Sequence, residues 1–301
     1  MDSRLPQLNA LLFALQMLLT WLSFSRHDAT RDAQFETPLT PAPFAFSLWN
    51  AIYFFTLMTV ITDWGFPGLS VFQHAANPTP LRVCFALSCV FNLGWVLLFN
   101  SGVVDVATVD ITLLWLVLLP IYLFLTLESD ARPLRWRQYL CSELSIRLYF
   151  SWITAATVVS WTITFQNVSE AYLSLSTYLA LLGLLVSVAV VGVVYGHDPV
   201  IGLIAAWACV GITQRDVKVF PVGTERAKAL QVQAAATLAA GVLVAVVLVS
   251  LAEQALVRRR LSRAWLTLTS SPLKVNSGPS YGAVASDCNN QGRGKRDTRG
   301  L

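Results

Sequence analysis

Long apolar runs separated by short polar breaks fill most of the chain, at 5–24, 45–63, 81–99, 104–126, 147–166, 171–195, 199–213 and 229–253. A run of about twenty residues is what an α-helix needs to cross a hydrocarbon core of roughly 30 Å at 1.5 Å per residue. In lipid an unpaired N–H or C=O is too costly, so such runs must be helical. The pattern predicts an all-α integral membrane protein of about eight transmembrane helices. The seventh run is short, opened by Pro199 and ended by Gln214-Arg215-Asp216, so it reads either as a span or as a re-entrant segment. The first run also fits a signal peptide with small residues at Ser23 and Ser25, although its apolar stretch is longer than a usual signal core. From about Ser270 the chain turns polar and rich in Gly, Ser, Asn and Arg, a composition expected to stay disordered.

Composition agrees with lipid as the solvent: 55% of residues are hydrophobic and 13% charged, about half the charged share of a soluble domain. The basic residues report topology. With the N-terminus inside, inner segments carry 15 Lys and Arg and outer segments 6, which predicts both termini in the cytoplasm. The loop 214–228, with Arg215, Lys218, Arg226 and Lys228, runs against that rule. After the last run, Arg258, Arg259, Arg260 and Arg263 interleave with Leu256, Leu261, Trp265 and Leu266, as expected of a flank lying along anionic lipid headgroups. The five cysteines have neither zinc nor disulfide-framework spacing. Asn167-Val168-Ser169 is a glycosylation sequon close to the membrane.

Polar and aromatic residues inside apolar runs mark helix contacts or a cavity, because a polar group in lipid needs a partner. Trp49, Tyr53 and Thr56 share one helical face, as do Ser88, Asn92 and Trp95. Asp110 lies about two turns into the fourth run, with Leu113, Leu114 and Val117 continuing its side. Tyr149, Trp152 and Ala156 share a face of the fifth. Together they suggest an inward pocket with aromatic walls and a few polar groups; singly, each tryptophan also fits an interfacial anchor and Asn92 a helix bridge.

Pro41-Ala-Pro-Phe-Ala-Phe-Ser-Leu-Trp49-Asn-Ala-Ile-Tyr53 resembles the proline-rich loop and second-helix start of the tryptophan-rich sensory proteins, the family of the translocator protein and peripheral benzodiazepine receptor relatives. Asn92-Leu-Gly-Trp95 with Phe99, Val109-Asp110, and Leu148-Tyr149-Phe-Ser-Trp152-Ile-Thr-Ala-Ala156-Thr resemble its next three helices in order, so the likeness covers about residues 5–166. It implies a five-helix bundle over 1–166, followed by three additional helices over 167–253 and a basic segment and tail over 254–301. It also implies a pocket under the proline-rich loop for planar hydrophobic ligands such as porphyrins, formed by Trp49, Asn92, Trp95, Asp110 and Trp152, and a homodimer. The chain departs from the pattern at Val106, where the family usually has tryptophan; at Phe44, nearest the loop tryptophan; and at Ser160, where asparagine is common.

The residues and the resemblance lead to a non-enzymatic membrane protein that binds, senses or translocates a planar hydrophobic ligand at Trp49, Tyr53, Asn92, Trp95, Asp110, Trp152 and Ala156. No metal and no cofactor is expected. The alternative is a secondary transporter or channel-like protein whose extra helices complete a pathway, with Asp110 or the His197-Asp198 turn handling protons or cations. The sequence holds no His-rich metal cluster, phosphate loop or nucleophile with a matching base, which places an enzyme third.

Overall fold

The computed structural model describes residues 4–24, 36–129 and 136–270, with only the backbone described for 258–270. Eight helices and no strand occur among the described residues: α1 (Leu5–Phe24), α2 (Leu48–Gly65), α3 (Thr79–Asn100), α4 (Val104–Ser129), α5 (Leu144–Ser169), α6 (Leu175–Val194), α7 (Pro199–Thr213) and α8 (Thr224–Ser270). Seven segments are long and apolar enough to cross a membrane, and α7 is the shorter exception. The chain divides into two units, Met1–Ala255 and Leu256–Leu301. Of the second, only 256–270 are described, as helix. The side chains of Arg258, Arg259, Arg260 and Arg263, and the tail expected to be disordered, lie outside the described residues.

Local chemistry sets several helix boundaries. α3 stops where Gly102 takes φ +80°. The Val103 N–H then donates to Leu98 O (3.0 Å) and the Gly102 N–H to Phe99 O (2.9 Å). This pairs the orphan carbonyls of the last turn, and a glycine adopts the left-handed conformation without a Cβ penalty. α6 is capped by Ser174, whose Oγ accepts from Thr177 N, and α7 by Asp198, whose Oδ1 accepts from Val200 N at 2.9 Å, with Pro199 as first helical residue. Before α5 the helix is widened by a π-type turn over Tyr139–Glu143. The turn brings Ser142 to α2, where Thr59 Oγ1 donates to Ser142 O at 3.3 Å, and to the loop before α3, where Val71 N donates to Ser142 Oγ.

α1 packs against α2 and α3, and α3, α4 and α5 pack in succession. Its buried stripe is Asn9, Phe13, Gln16 and Thr20, a helical spacing that mixes apolar and polar residues. Asn9 donates to Arg82 O and Gln16 to Asn92 Oδ1, so α1 is an integral wall of the bundle. Hydroxyls and indoles join α4 to α5: Thr108 to Ser160 O, Trp115 to Thr154, and Trp161 to Thr112. Such bonds are net favourable between helices where no water competes.

α7 buries most of its surface against its neighbours and leaves one face, Leu203, Trp207 and Val210, exposed. At 15 residues it is about 22 Å long, short of a hydrocarbon core, and ten of those residues are buried, from Val200 to Ile212. Small residues admit it: a Cβ on Gly202 would lie 2.5 Å from Val247 of α8 and 2.6 Å from Val193 of α6, and one on Gly192 would lie 2.7 Å from Ile201. Backbones come this close only where side chains are absent. The short seventh run is thus a helix sheltered by its neighbours.

Candidate functional site

Four of the residues expected at the site are in direct mutual contact. Trp49 at the start of α2 stacks on Tyr53 one turn later, with ring centroids 5.2 Å apart, and on Trp95 of α3 at 6.3 Å. Trp95 stacks in turn on Phe99 at 5.6 Å, and Tyr149 of α5 meets Trp49 edge-on at 6.0 Å. Asn92, fully buried, lies one helical step from Trp95; its Oδ1 accepts from Gln16 at 2.6 Å and from the Tyr53 hydroxyl at 3.5 Å. Offset and edge-on aromatic pairs of this kind each contribute about 0.5–1.5 kcal/mol beyond their buried area.

Trp152 of α5 is buried and lies one helical step from Tyr149. Its ring contact is with Phe46 of the proline-rich loop, edge-to-face at 5.7 Å, so it joins the cluster beneath the loop. Ala156, one turn further along α5, is half-buried and packs on the core without a polar partner of its own.

Asp110 reaches the cluster from behind. Its carboxylate lies against the α3 backbone at Gly94 and Trp95, and a Cβ on Gly94 would sit 2.8 Å from Asp110 Oδ1. Only a glycine there lets the acid come this near. Of the residues expected on the Asp110 side, Leu113 faces outward with 40% exposure while Leu114 is fully buried, in a stripe of α4 that runs through Ala107, Ile111, Leu114 and Leu118. The difference arises because Asp110 sits at the α3–α4 seam, on the flank of that stripe. Val106, at the place of the missing family tryptophan, is likewise exposed.

This region, like the surroundings of Arg147 and Asp198, holds buried polar atoms without a hydrogen bond. Asn92 Nδ2, Trp95 Nε1 and Trp152 Nε1 are buried donors with no acceptor within hydrogen-bond distance, and Asp110 Oδ2 is a buried acceptor with no donor. Unsatisfied buried polar atoms are uncommon and each costs about 1–3 kcal/mol. Four of them lie at or near the stacked indoles, Asn92 Nδ2, Trp95 Nε1, Trp152 Nε1 and Asp110 Oδ2.

Sequence reasoning missed two contributions. Gln16 and Thr20 of α1 line the Asn92 side; their spacing with Asn9 and Phe13 marks one helical face and was a readable signal. The second is a buried ion pair, Arg147 Nη1 to Asp198 Oδ2 at 3.1 Å, with Glu143 4.0 Å from Arg147 and the Tyr139 ring under the guanidinium. Arg147 and Asp198 are fifty residues apart, and nothing local announces the pair. The His197-Asp198 turn, considered above as a proton or cation site, therefore holds an aspartate that is fully buried, paired with Arg147 and engaged in capping α7.

These features define a multi-pass helical membrane protein with an aromatic cluster walled by α1, α2, α3 and α5 and backed by Asp110 of α4. A family model for TSPO-like proteins matches residues 8–249, and the chain belongs to that family. The match passes residue 166, where the motif resemblance ends, and takes in α6, α7 and most of the apolar part of α8. No curated protein matches the chain significantly, and no solved structure does.

Proposed function

We propose that this TSPO-like membrane protein binds a planar hydrophobic ligand, a porphyrin being the representative case, among Trp49, Tyr53, Asn92, Trp95, Asp110 and Trp152, with Ala156 at the margin. The observation that carries this reading is the coincidence of stacked indoles with buried donors that have no acceptor, Asn92 Nδ2, Trp95 Nε1 and Trp152 Nε1. Indole faces supply dispersion and stacking to a flat ring, and the three N–H groups offer charge-free hydrogen bonds to its polar edge. The role is binding for sensing or translocation rather than turnover. The test is a titration of the purified protein with protoporphyrin IX, followed by tryptophan quenching. Saturable quenching that weakens in both Trp49→Phe and Trp152→Phe supports the reading; its absence in the wild type overturns it.

A transport reading has one observation in its favour, the buried Asp110 Oδ2 without a donor. A carboxylate oxygen within an apolar span that has no donor is a group that can take up a proton or cation. Flux across liposomes that disappears in Asp110→Asn would favour this reading, and unchanged flux would remove it.

A further inference from the structure

We infer that α7 is the element that holds the proline-rich loop closed over the aromatic cluster, with Trp207 and Gly211 as its positioning residues. This gives a role to a helix outside the five-helix unit, and its consequence for ligand release rests on the binding reading above.

The loop 36–47 is short of backbone donors, and its second half, Pro43–Ser47, is a short 3-10 helix that leads into α2. Pro38, Pro41 and Pro43 have no N–H, and Thr37 and Thr40 satisfy one another, Thr40 N to Thr37 O at 2.9 Å and Thr37 N to Thr40 Oγ1 at 3.1 Å. The Ala42 N–H has no partner in the loop and donates to Gly211 O of α7 at 2.9 Å. Gly211 lies in the last turn of α7, where helix carbonyls have no intrahelical partner. One bond thus satisfies a loop donor and a helix acceptor that would otherwise both be unpaired.

The approach is tight. A Cβ on Gly211 would sit 2.8 Å from Ala45 Cβ and 2.9 Å from Pro41 Cβ. One turn deeper, Trp207 Nε1 donates to Ala45 O at 3.1 Å, and its ring meets Phe44 edge-to-face at 5.4 Å. The indole that the loop itself lacks, with Phe44 in its place, is supplied by α7. At the outer end Arg215 pairs with Glu36, whose carbonyl also accepts from Gln166 Nε2 at 2.9 Å. Leu39, Ala42 and Ala45 are consequently buried.

The other side of the same segment faces the site. Phe46, one residue past Ala45, packs on Trp152, and Trp49 follows two residues after Ser47. Loop residues alternate between holding α7 and covering the cluster, so displacement from α7 moves Phe46 off Trp152. At this end the cluster opens when the loop leaves Trp207 and Gly211.

The experiment uses the full chain in lipid nanodiscs and two measurements. Hydrogen exchange over 36–48 is followed without ligand, and protoporphyrin IX release is followed by recovery of tryptophan emission. Trp207→Phe keeps the ring and removes one hydrogen bond, so exchange is expected to quicken about 2- to 10-fold; Gly211→Val, which forces the loop away, should exceed it. Release should quicken in the same order, while Gly183→Ala, at a helix position with open space, changes neither. Exchange unaltered in both variants would overturn the inference, as would faster exchange with unaltered release, since α7 would then be only a packing element. If wild-type protein binds no porphyrin, the binding reading fails, and the exchange data alone decide whether α7 clamps the loop.

Discussion

Around Asp63 and Asp198 the buried carboxylates have guanidinium partners: Arg82 gives Asp63 two hydrogen bonds, at 2.8 and 2.9 Å, and Arg147 lies 3.1 Å from Asp198. Ser70 adds a third donor to Asp63 at 2.5 Å. Around Trp49 and Trp95 the half-buried Asp110 has one buried oxygen without a donor, and three N–H groups lack acceptors. The charges of the first region join helices: Asp63 and Arg82 tie α2 to α3, with both Asp63 oxygens hydrogen-bonded, and Arg147 and Asp198 tie α5 to the α6–α7 turn, with Arg147 Nε and Asp198 Oδ2 making no hydrogen bond. The second region combines unmet N–H groups with stacked indoles. Unmet polar capacity occurs in both, so it is the stacked indoles beside it, not the unmet capacity alone, that separate the two.

Removing one member of a paired charge tests the first half of that contrast with the largest expected effect. Asp198→Ala leaves Arg147 buried without its partner and should cost about 3–5 kcal/mol, read as a lowered midpoint of thermal unfolding in detergent. Arg147→Met combined with Asp198→Ala should lose much less, because no uncompensated charge remains; an equal loss would mean that capping of α7, not charge, is what Asp198 supplies.

Substitution at the aromatic region should act on ligand. Trp152→Ala is expected to weaken porphyrin binding by about 1–3 kcal/mol, the range for a planar ring stacked on an aromatic side chain, and an unaltered Kd from the quenching titration would remove Trp152 from the site.

Gly94→Ala asks whether the placement of Asp110 is built in. The added methyl would press on the carboxylate, and overpacking of this kind costs about 1–3 kcal/mol. Unfolding should shift accordingly, and a neutral outcome would show that Asp110 moves aside freely. The smallest effect belongs to Gly183→Ala, where nothing lies near an added Cβ. Helix propensity there favours alanine by up to about 1 kcal/mol, so the unfolding midpoint should stay or rise slightly.

Much of this was legible along the chain. The eight apolar segments emerge as helices, α7 with the bounds expected, 199–213, and α2, α3 and α5 with ends displaced by one to three residues. The last helix runs further than its apolar stretch, because residues on either side continue the helix without being apolar. Trp49, Tyr53, Asn92 and Trp95 were readable as a cluster because helical spacing puts each pair on one face and two such faces meet. Ala156 was readable only as a small residue beside Trp152, and the structure adds no polar contact to it.

The sequence by itself determined the solvent and the secondary structure. Apolar length and the cost of unpaired backbone groups in lipid leave helices as the only solution, and both can be read locally. Tertiary structure decided which polar residues are satisfied and which are not. Asp110, Asp198 and Asp63 look alike along the chain, yet one meets a helix backbone and two meet arginines from other segments. It also decided that a short apolar run becomes a helix packed between its neighbours on all but one face and that its last turn receives the proline-rich loop. Those outcomes depend on which surfaces of separate helices meet, and hydropathy contains no term for that.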